Sequence, residues 1–220
     1  MKVIKFALLL LLFANISHAQ DQHFPFWDDI QAFKKQDSIN PPPRHAILFM
    51  GSSSFTNWKD VQDYFPAYRI INRGFGGSTL LDQVRYVNDI VVPYKPKQIV
   101  IYCGENDLAA SENVTGEIVF KRFVTLFNLI IKKLPDVQVV FISLKPSPSR
   151  WQLRQKMITA NTEIKNFLRK KSKTVFVDVY HKMLGEDGKP IKEIFLDDSL
   201  HMNAKGYAIW KKLIEPYLIK

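Results

Sequence analysis

Cysteine is nearly missing from this chain. A single one, Cys103, stands among 220 residues. That excludes an internal disulfide and a zinc site built on paired cysteines. Histidine is scarce too. His18, His23, His45, His181 and His201 are the whole set, and no two of them take a metal-hydrolase spacing such as HExxH. Nine glycines exclude a collagen-like repeat. Long apolar runs are also lacking. The longest, Phe6 to Ala14, is too short at 1.5 Å per residue to cross a hydrocarbon core of about 30 Å. No later stretch reads as a membrane span.

What is present suits a folded globular protein: 46% hydrophobic, 13% aromatic and 24% charged residues. That balance excludes a disordered tail and a coiled coil. A chain of this length buries about 70% of its unfolded surface, enough for one core without metals or disulfides. One folded domain is expected.

The short apolar run follows Lys2 and Lys5 and precedes Ser17-His18-Ala19, which has small residues at the two positions a signal peptidase reads. Residues 1–19 therefore read as a secretory signal peptide cleaved before Gln20, with no stable membrane anchor. The protein is expected to be exported, to a periplasm or the outside. Its removal leaves 29 basic and 21 acidic residues, a net charge of +8. The basic residues are scattered in pairs such as Lys34-Lys35, Lys132-Lys133, Lys170-Lys171 and Lys211-Lys212. They read as a solvated surface, and no nucleic-acid partner is expected.

Residues 20–43 form an N-terminal segment. Phe26, Ile30 and Phe33 give 25–37 a helical period, and Pro41-Pro42-Pro43 ends it. The main domain follows over 44–220. Short apolar strands are expected at Ala46–Met50, Arg69–Asn72, Gln98–Tyr102, Val137–Leu144 and Thr174–Val179. Helical patterns are expected at 79–91, 117–134 and 151–169. A last helix is capped by Asn203 and closed by Pro216. Strands alternating with helices imply an α/β domain, a parallel sheet covered on both faces. Such sheets bind ligands beyond the carboxyl ends of their strands, so those segments hold the candidate functional residues.

Gly51-Ser52-Ser53-Ser54 follows the first strand and Asn72-Arg73-Gly74-Phe75-Gly76-Gly77-Ser78 the second. Gly104-Glu105-Asn106-Asp107 follows the third. After the fifth comes a stretch of about twenty residues that ends in Asp197-Asp198-Ser199-Leu200-His201. Each piece alone reads as backbone geometry: a cap, a glycine turn, an Asx turn, a surface histidine. Together they supply a hydroxyl, an imidazole, a carboxylate and amide donors at one sheet edge. That set suits acyl transfer. A hydroxyl needs a base to take its proton, the base needs a carboxylate, and the oxyanion needs preorganised donors. Lys145-Pro146-Ser147-Pro148-Ser149-Arg150, after the fourth strand, reads as a rigid turn at the same edge. Tyr102, Phe75 and Cys103 read as core, and His181 as a loop residue without a role.

From about residue 44 to 215 the sequence resembles the SGNH hydrolases, the GDSL-type esterase/lipase superfamily. It looks closest to the branch similar to platelet-activating-factor acetylhydrolase catalytic subunits. Four blocks carry the resemblance, in the family's order. The register of Gly51-Ser52-Ser53 implies Ser53 as nucleophile. The Asn-x-x-x-x-Gly block implies Gly77, and Gly104-Glu105-Asn106-Asp107 implies Asn106, as oxyanion donors beside the Ser53 amide. Asp198-Ser199-Leu200-His201 implies Asp198 and His201 as acid and base, with Asp197 the adjacent rival. Ser52 stands where the family usually has aspartate, which leaves Ser52 and Ser54 as neighbouring candidates. The resemblance implies a three-layer α/β/α sandwich with a five-stranded parallel sheet in flavodoxin-like order. It also implies a serine esterase without metal or cofactor, acting on a small-molecule or carbohydrate ester, with short acyl (above all acetyl) groups preferred. The alternatives are a lipid or thioester acyl hydrolase and a glycan-binding module that keeps the fold. The absence of Gly-x-Ser-x-Gly sets the chain apart from α/β-hydrolases.

Overall fold

A computed structural model of the chain describes residues 23–220. The expected signal peptide lies outside the described residues. Among those described, no helix is long and apolar enough to cross a membrane.

Helix α1 (Trp27–Ile39) precedes strand β1 (Ile47–Gly51). Two short helices, α2 (Ser53–Thr56) and α3 (Val61–Tyr64), lead to β2 (Ile70–Gly74). Then follow α4 (Leu80–Ile90), β3 (Gln98–Tyr102), α5 (Glu105–Ala110) and α6 (Gly116–Lys133). The chain ends through β4 (Gln138–Ile142), α7 (Arg154–Leu168), β5 (Thr174–Val177) and α8 (Ala204–Ile214). The five strands form one sheet in the order β2-β1-β3-β4-β5, with every pairing parallel. This is the flavodoxin-like order, with its switch point at β1 and β3.

The strands lack polar alternation because both faces are covered. Every residue of β1 and β3 is buried. Successive side chains point to opposite faces. Leu48, Met50, Ile99 and Ile101 join the core under α4, α6 and α7, whereas Ile47, Phe49, Val100 and Tyr102 join the core that holds Phe55, Trp58 and Trp210. Burial of each such large apolar side chain contributes about 1.5–3 kcal/mol. In α6 the residues Val119, Phe123, Leu126, Phe127 and Ile130 are all buried, as the helical period of that segment requires.

Local signals fix the helix starts. Thr79 and Asp82 close a capping box on α4. The Asn203 side chain accepts from the amides of Lys205 and Gly206, capping α8 as expected. Observed boundaries differ from the expected ones by a few residues. The stretch 151–169 begins as a 3-10 turn (Pro148–Leu153) before α7 starts at Arg154.

Asn106-Asp107 does not form an Asx turn but lies inside α5. The Asp107 carboxylate is taken elsewhere: it accepts from the Leu80 amide at 2.9 Å and from Arg122 at 2.8 Å. Burial pushes Asp107 above the usual carboxylate range against those bonds.

Helix α1 is tied to the sheet by a polar cluster. Arg73 Nη2 donates to Asp37, Tyr94 Oη donates to Asp37 at 2.5 Å, and Arg73 Nε donates to Tyr94 at 2.7 Å. Burial, then the bond to Asp37, pushes the Tyr94 phenol up to about 12.

Candidate active site

The paired ends of the central strands align. Gly51 lies opposite Gly74 on one side and Tyr102 on the other. The segments after β1, β2 and β3 therefore leave the sheet at one rim. Gly51 has a φ of +152°, and a Cβ there would lie 1.9 Å from the Tyr102 carbonyl oxygen. Only glycine fits. The chain then turns directly into α2. Ser52 and Ser54 are buried, whereas Ser53 is partly exposed at the first position of the helix.

The long segment after β5 is more ordered than its composition suggests. An isolated antiparallel bridge joins Phe195 to Met202, both buried. Between them the Leu196 amide donates to His201 O at 2.8 Å, and the Ser199 amide donates to Leu196 O at 2.8 Å. Ser199 takes a φ of +56°, the left-handed conformation that lets this turn close. Asp198 Oδ1 accepts from the amides of Leu200 and His201, each at 2.9 Å. Its Oδ2 meets His201 Nδ1 at 2.5 Å. On the other side of the ring, His201 Nε2 lies 3.0 Å from Ser53 Oγ. Partial burial raises the Asp198 pKa. The His201 imidazole and the two amides outweigh it and hold the carboxyl at about 2.

The turn after β2 brings Gly77 near. It has a φ of +83°, and the ring of Phe26, from the N-terminal segment, approaches to 3.7 Å of where its Cβ would be. A Cβ on the adjacent Gly76 would meet Ser53 Cβ at 3.8 Å. Asn106 Nδ2 donates to Ser78 O at 3.0 Å, in the same turn. Its Oδ1 accepts from Arg150 Nη2 at 3.0 Å. Five sequence-singled residues thus gather at the rim: Ser53, Gly77, Asn106, Asp198 and His201. Asp197 makes no such contact to His201.

Other residues singled out by sequence are placed elsewhere. Phe75, Tyr102 and Cys103 are buried in the core, and burial raises the Cys103 thiol well above its usual range, which leaves it unreactive. His181 meets Asp178 at 2.8 Å on the surface beside a cavity of about 90 Å³ that Ser143, Lys165 and Tyr180 help line. Among the described residues no cluster of three His, Cys, Asp or Glu could hold a metal ion.

The sequence reading missed the charged group behind Asn106. Glu105 is buried, and its Oε2 accepts from Lys145 Nζ at 2.9 Å and from Tyr102 Oη at 2.5 Å. Arg150 Nη1 lies 3.2 Å from Glu105 Oε1. Lys145 and Arg150 come from the segment read as a rigid turn. The available signal was their position directly after a strand, at the edge where ligands bind.

The family model of the GDSL-like lipase/acylhydrolase family matches residues 41–209. No curated relative matches the chain. Among solved structures, a candidate acylhydrolase from Bacteroides fragilis is similar at 26% identity and a TM-score of 0.73, over 86% of this chain and 95% of that one. A candidate platelet activating factor protein from Streptococcus pneumoniae is similar at 20% identity and a TM-score of 0.74, over 87% and 92%. A variant of an acetyl-xylooligosaccharide esterase from Geobacillus is similar at 16% identity and a TM-score of 0.59, over 81% and 96%. At such identities the last two share the fold.

Proposed function

The chain belongs to the GDSL-like lipase/acylhydrolase family and is a carboxylic ester hydrolase; from that premise we propose that it cleaves short acyl esters, chiefly acetyl esters on carbohydrates, through Ser53, His201 and Asp198. Ser53 Oγ attacks the ester carbonyl as His201 Nε2 takes its proton. Asp198 keeps the imidazole in the tautomer that accepts at Nε2, and stabilises the cation that forms. The oxyanion is held by the amides of Ser53 and Gly77 and by Asn106 Nδ2. The alcohol leaves with the proton from His201. Water, deprotonated by the same imidazole, then attacks the acyl-serine and releases the acid, and Ser53 regains its proton.

The observation that carries this reading is the continuous contact from Asp198 through His201 to Ser53, at 2.5 and 3.0 Å. A short acyl group is supported by Phe26, whose ring stands against Gly77 and packs edge-on to Phe75. Acetyl-carbohydrate substrates are supported by similarity to an acetyl-xylooligosaccharide esterase. The N-terminal stretch over residues 1–19 supports export.

Rates on p-nitrophenyl esters of increasing chain length, with fluorophosphonate labelling in parallel, test the reading. The expected result is a maximum at acetate and labelling at Ser53. A maximum at long acyl chains favours a lipid or thioester substrate. A folded protein that neither labels nor hydrolyses favours the glycan-binding alternative.

A further inference from the structure

We propose that Arg150 is a positioning residue for the oxyanion donor, its guanidinium braced on buried Glu105 and fixing the Asn106 carboxamide so that Nδ2 faces the acyl oxygen. The inference rests on Asn106 serving as that donor in the reaction proposed for Ser53.

A primary amide has two nearly isosteric ends. Rotated by half a turn, Asn106 would offer the oxyanion a lone pair in place of an N–H. Two contacts of opposite kind forbid the rotation. Ser78 O is only an acceptor, so Nδ2 must face it, and it does at 3.0 Å. Arg150 has only donors, so Oδ1 must face it, and it does at 3.0 Å. Either contact alone biases the amide, and both together leave one orientation. One Nδ2 proton goes to Ser78 and the second remains for the substrate.

The brace behind Arg150 is buried. Glu105 is 3% and Lys145 1% exposed. Burial opposes ionisation of Glu105, but Lys145, Arg150 and the Tyr102 bond outweigh it and keep the carboxyl below its usual range. The group holds two cations against one anion. The cation that meets the Asn106 amide does so at Oδ1, through Arg150. A cation on Oδ1 polarises the amide and strengthens Nδ2–H as a donor. A buried ion pair adds little net stability, so stability alone does not account for the cluster. The backbone of the same turn reaches the acid–base pair as well: the Ser149 amide donates to Ser199 O at 3.1 Å, between Asp198 and His201.

The test uses the full chain with Arg150→Ala, Asn106→Ala and the double variant, folding checked by thermal melting. Arg150→Ala is expected to lower kcat on p-nitrophenyl acetate roughly 10- to 30-fold, part of the 10²–10³ that a lost oxyanion donor costs, with KM within about threefold. In the Asn106→Ala background the same change is expected to add nothing, because its route of action is gone. Should Arg150→Ala not fold, Arg150→Lys decides by the same non-additivity. It keeps a cation for Glu105 but has one nitrogen in place of the two that meet Glu105 Oε1 and Asn106 Oδ1 separately, and a loss of at least about fivefold is expected. Folded variants with kcat within about twofold of the parent, or losses that multiply in the double variant, overturn the proposal. Wild-type labelling by fluorophosphonate separates the two levels. A labelled parent indifferent to Arg150 sinks this inference alone, whereas an unlabelled parent sinks the Ser53 reading and this inference with it.

Discussion

His201 Nε2 lies 3.0 Å from Ser53 Oγ across 148 residues of sequence. Nothing local brings them together. Ser53 is placed by the end of β1, and His201 by the bridge between Phe195 and Met202 after β5. The contact is a product of the whole fold. It also discriminates among three consecutive serines. Ser52 and Ser54 face inward, and Tyr207 Oη donates to Ser54 O at 2.9 Å, fastening that residue to α8. We expect Ser53→Ala to lower kcat by more than about 10⁴-fold. Ser52→Ala and Ser54→Ala should stay within about tenfold of the parent, since neither removes a contact to His201. Steady-state ester hydrolysis on the three purified variants checks this. Comparable losses in all three would show that the run, and not one hydroxyl, matters.

The Asp198 carboxylate does two jobs at once. Oδ1 closes the turn on two amides and Oδ2 holds the imidazole. We expect Asp198→Asn to lower kcat by about 10²–10⁴-fold, because a carboxamide can stabilise the wrong tautomer and cannot stabilise the cation. Asp197→Asn should leave kcat within about threefold, since no bond to His201 is lost.

The same carboxylate predicts a pH signature of stability. Its folded pKa of about 2 lies below the ordinary value of 3.8. A depressed carboxyl pKa contributes stability that is fully present above the unfolded value and is lost as pH falls through the folded one. The stability difference between the parent and Asp198→Asn should therefore be constant at and above about pH 5 and shrink between about pH 4 and pH 2. The effect is small, because Asp198 is half exposed. Denaturant titrations of both proteins across that range measure it. A difference that grows on acidification contradicts the assignment.

A second Asp-x-x-His shows what sequence does and does not reveal. Asp178 and His181 repeat the local geometry of the first pair: the His181 amide donates to Asp178 Oδ1 at 3.2 Å, and the ring meets Oδ2 at 2.8 Å. The spacing builds this turn wherever it occurs, so the spacing alone is not a catalytic signal. Only Asp198–His201 has Ser53 opposite. We expect His181→Ala to keep kcat within about twofold of the parent, while His201→Ala loses more than about 10³-fold. Parallel kinetics on the two variants decide.

The same contrast explains which features were legible. Strand positions and sheet class followed from apolar runs, because β1 and β3 are buried on both faces and tolerate little else. Ser53, Asn106, Asp198 and His201 were legible as ordered blocks at strand ends. The short helices α2, α3 and α5 were not, since four to six residues carry too little period to detect. Glu105 and Lys145 were invisible as buried residues. Their charges suggest solvent, and only tertiary pairing makes burial tolerable. Arg150 was hidden for the same reason, since its partners lie 44 and 45 residues away in sequence.

Gly51 offers the last test, one of geometry and not of chemistry. The residue carries no functional atom beyond its backbone, yet its carbonyl oxygen is a hub. It accepts from the Phe75 amide at 3.0 Å, from Ser78 Oγ at 3.3 Å and from Gln83 Nε2 at 3.2 Å. The first two tie the end of β1 to the turn that carries Gly77, and the third ties it to α4. A Cβ at 1.9 Å from Tyr102 O cannot be absorbed by a side-chain rotation, because the clash is with backbone. Either β1 and β3 part at their ends or the peptide after Gly51 reorients. Both move Ser53 relative to His201 and Asn106. We expect Gly51→Ala to destabilise the protein by about 3 kcal/mol, at the upper end of strained-backbone and overpacking changes. Any folded fraction should lose hydrolysis by more than about 10²-fold through misplacement of Ser53 alone. Thermal melting and ester hydrolysis on the same preparation measure both effects. A variant with parental stability and rate would mean that the rim is far more plastic than these close backbone contacts allow.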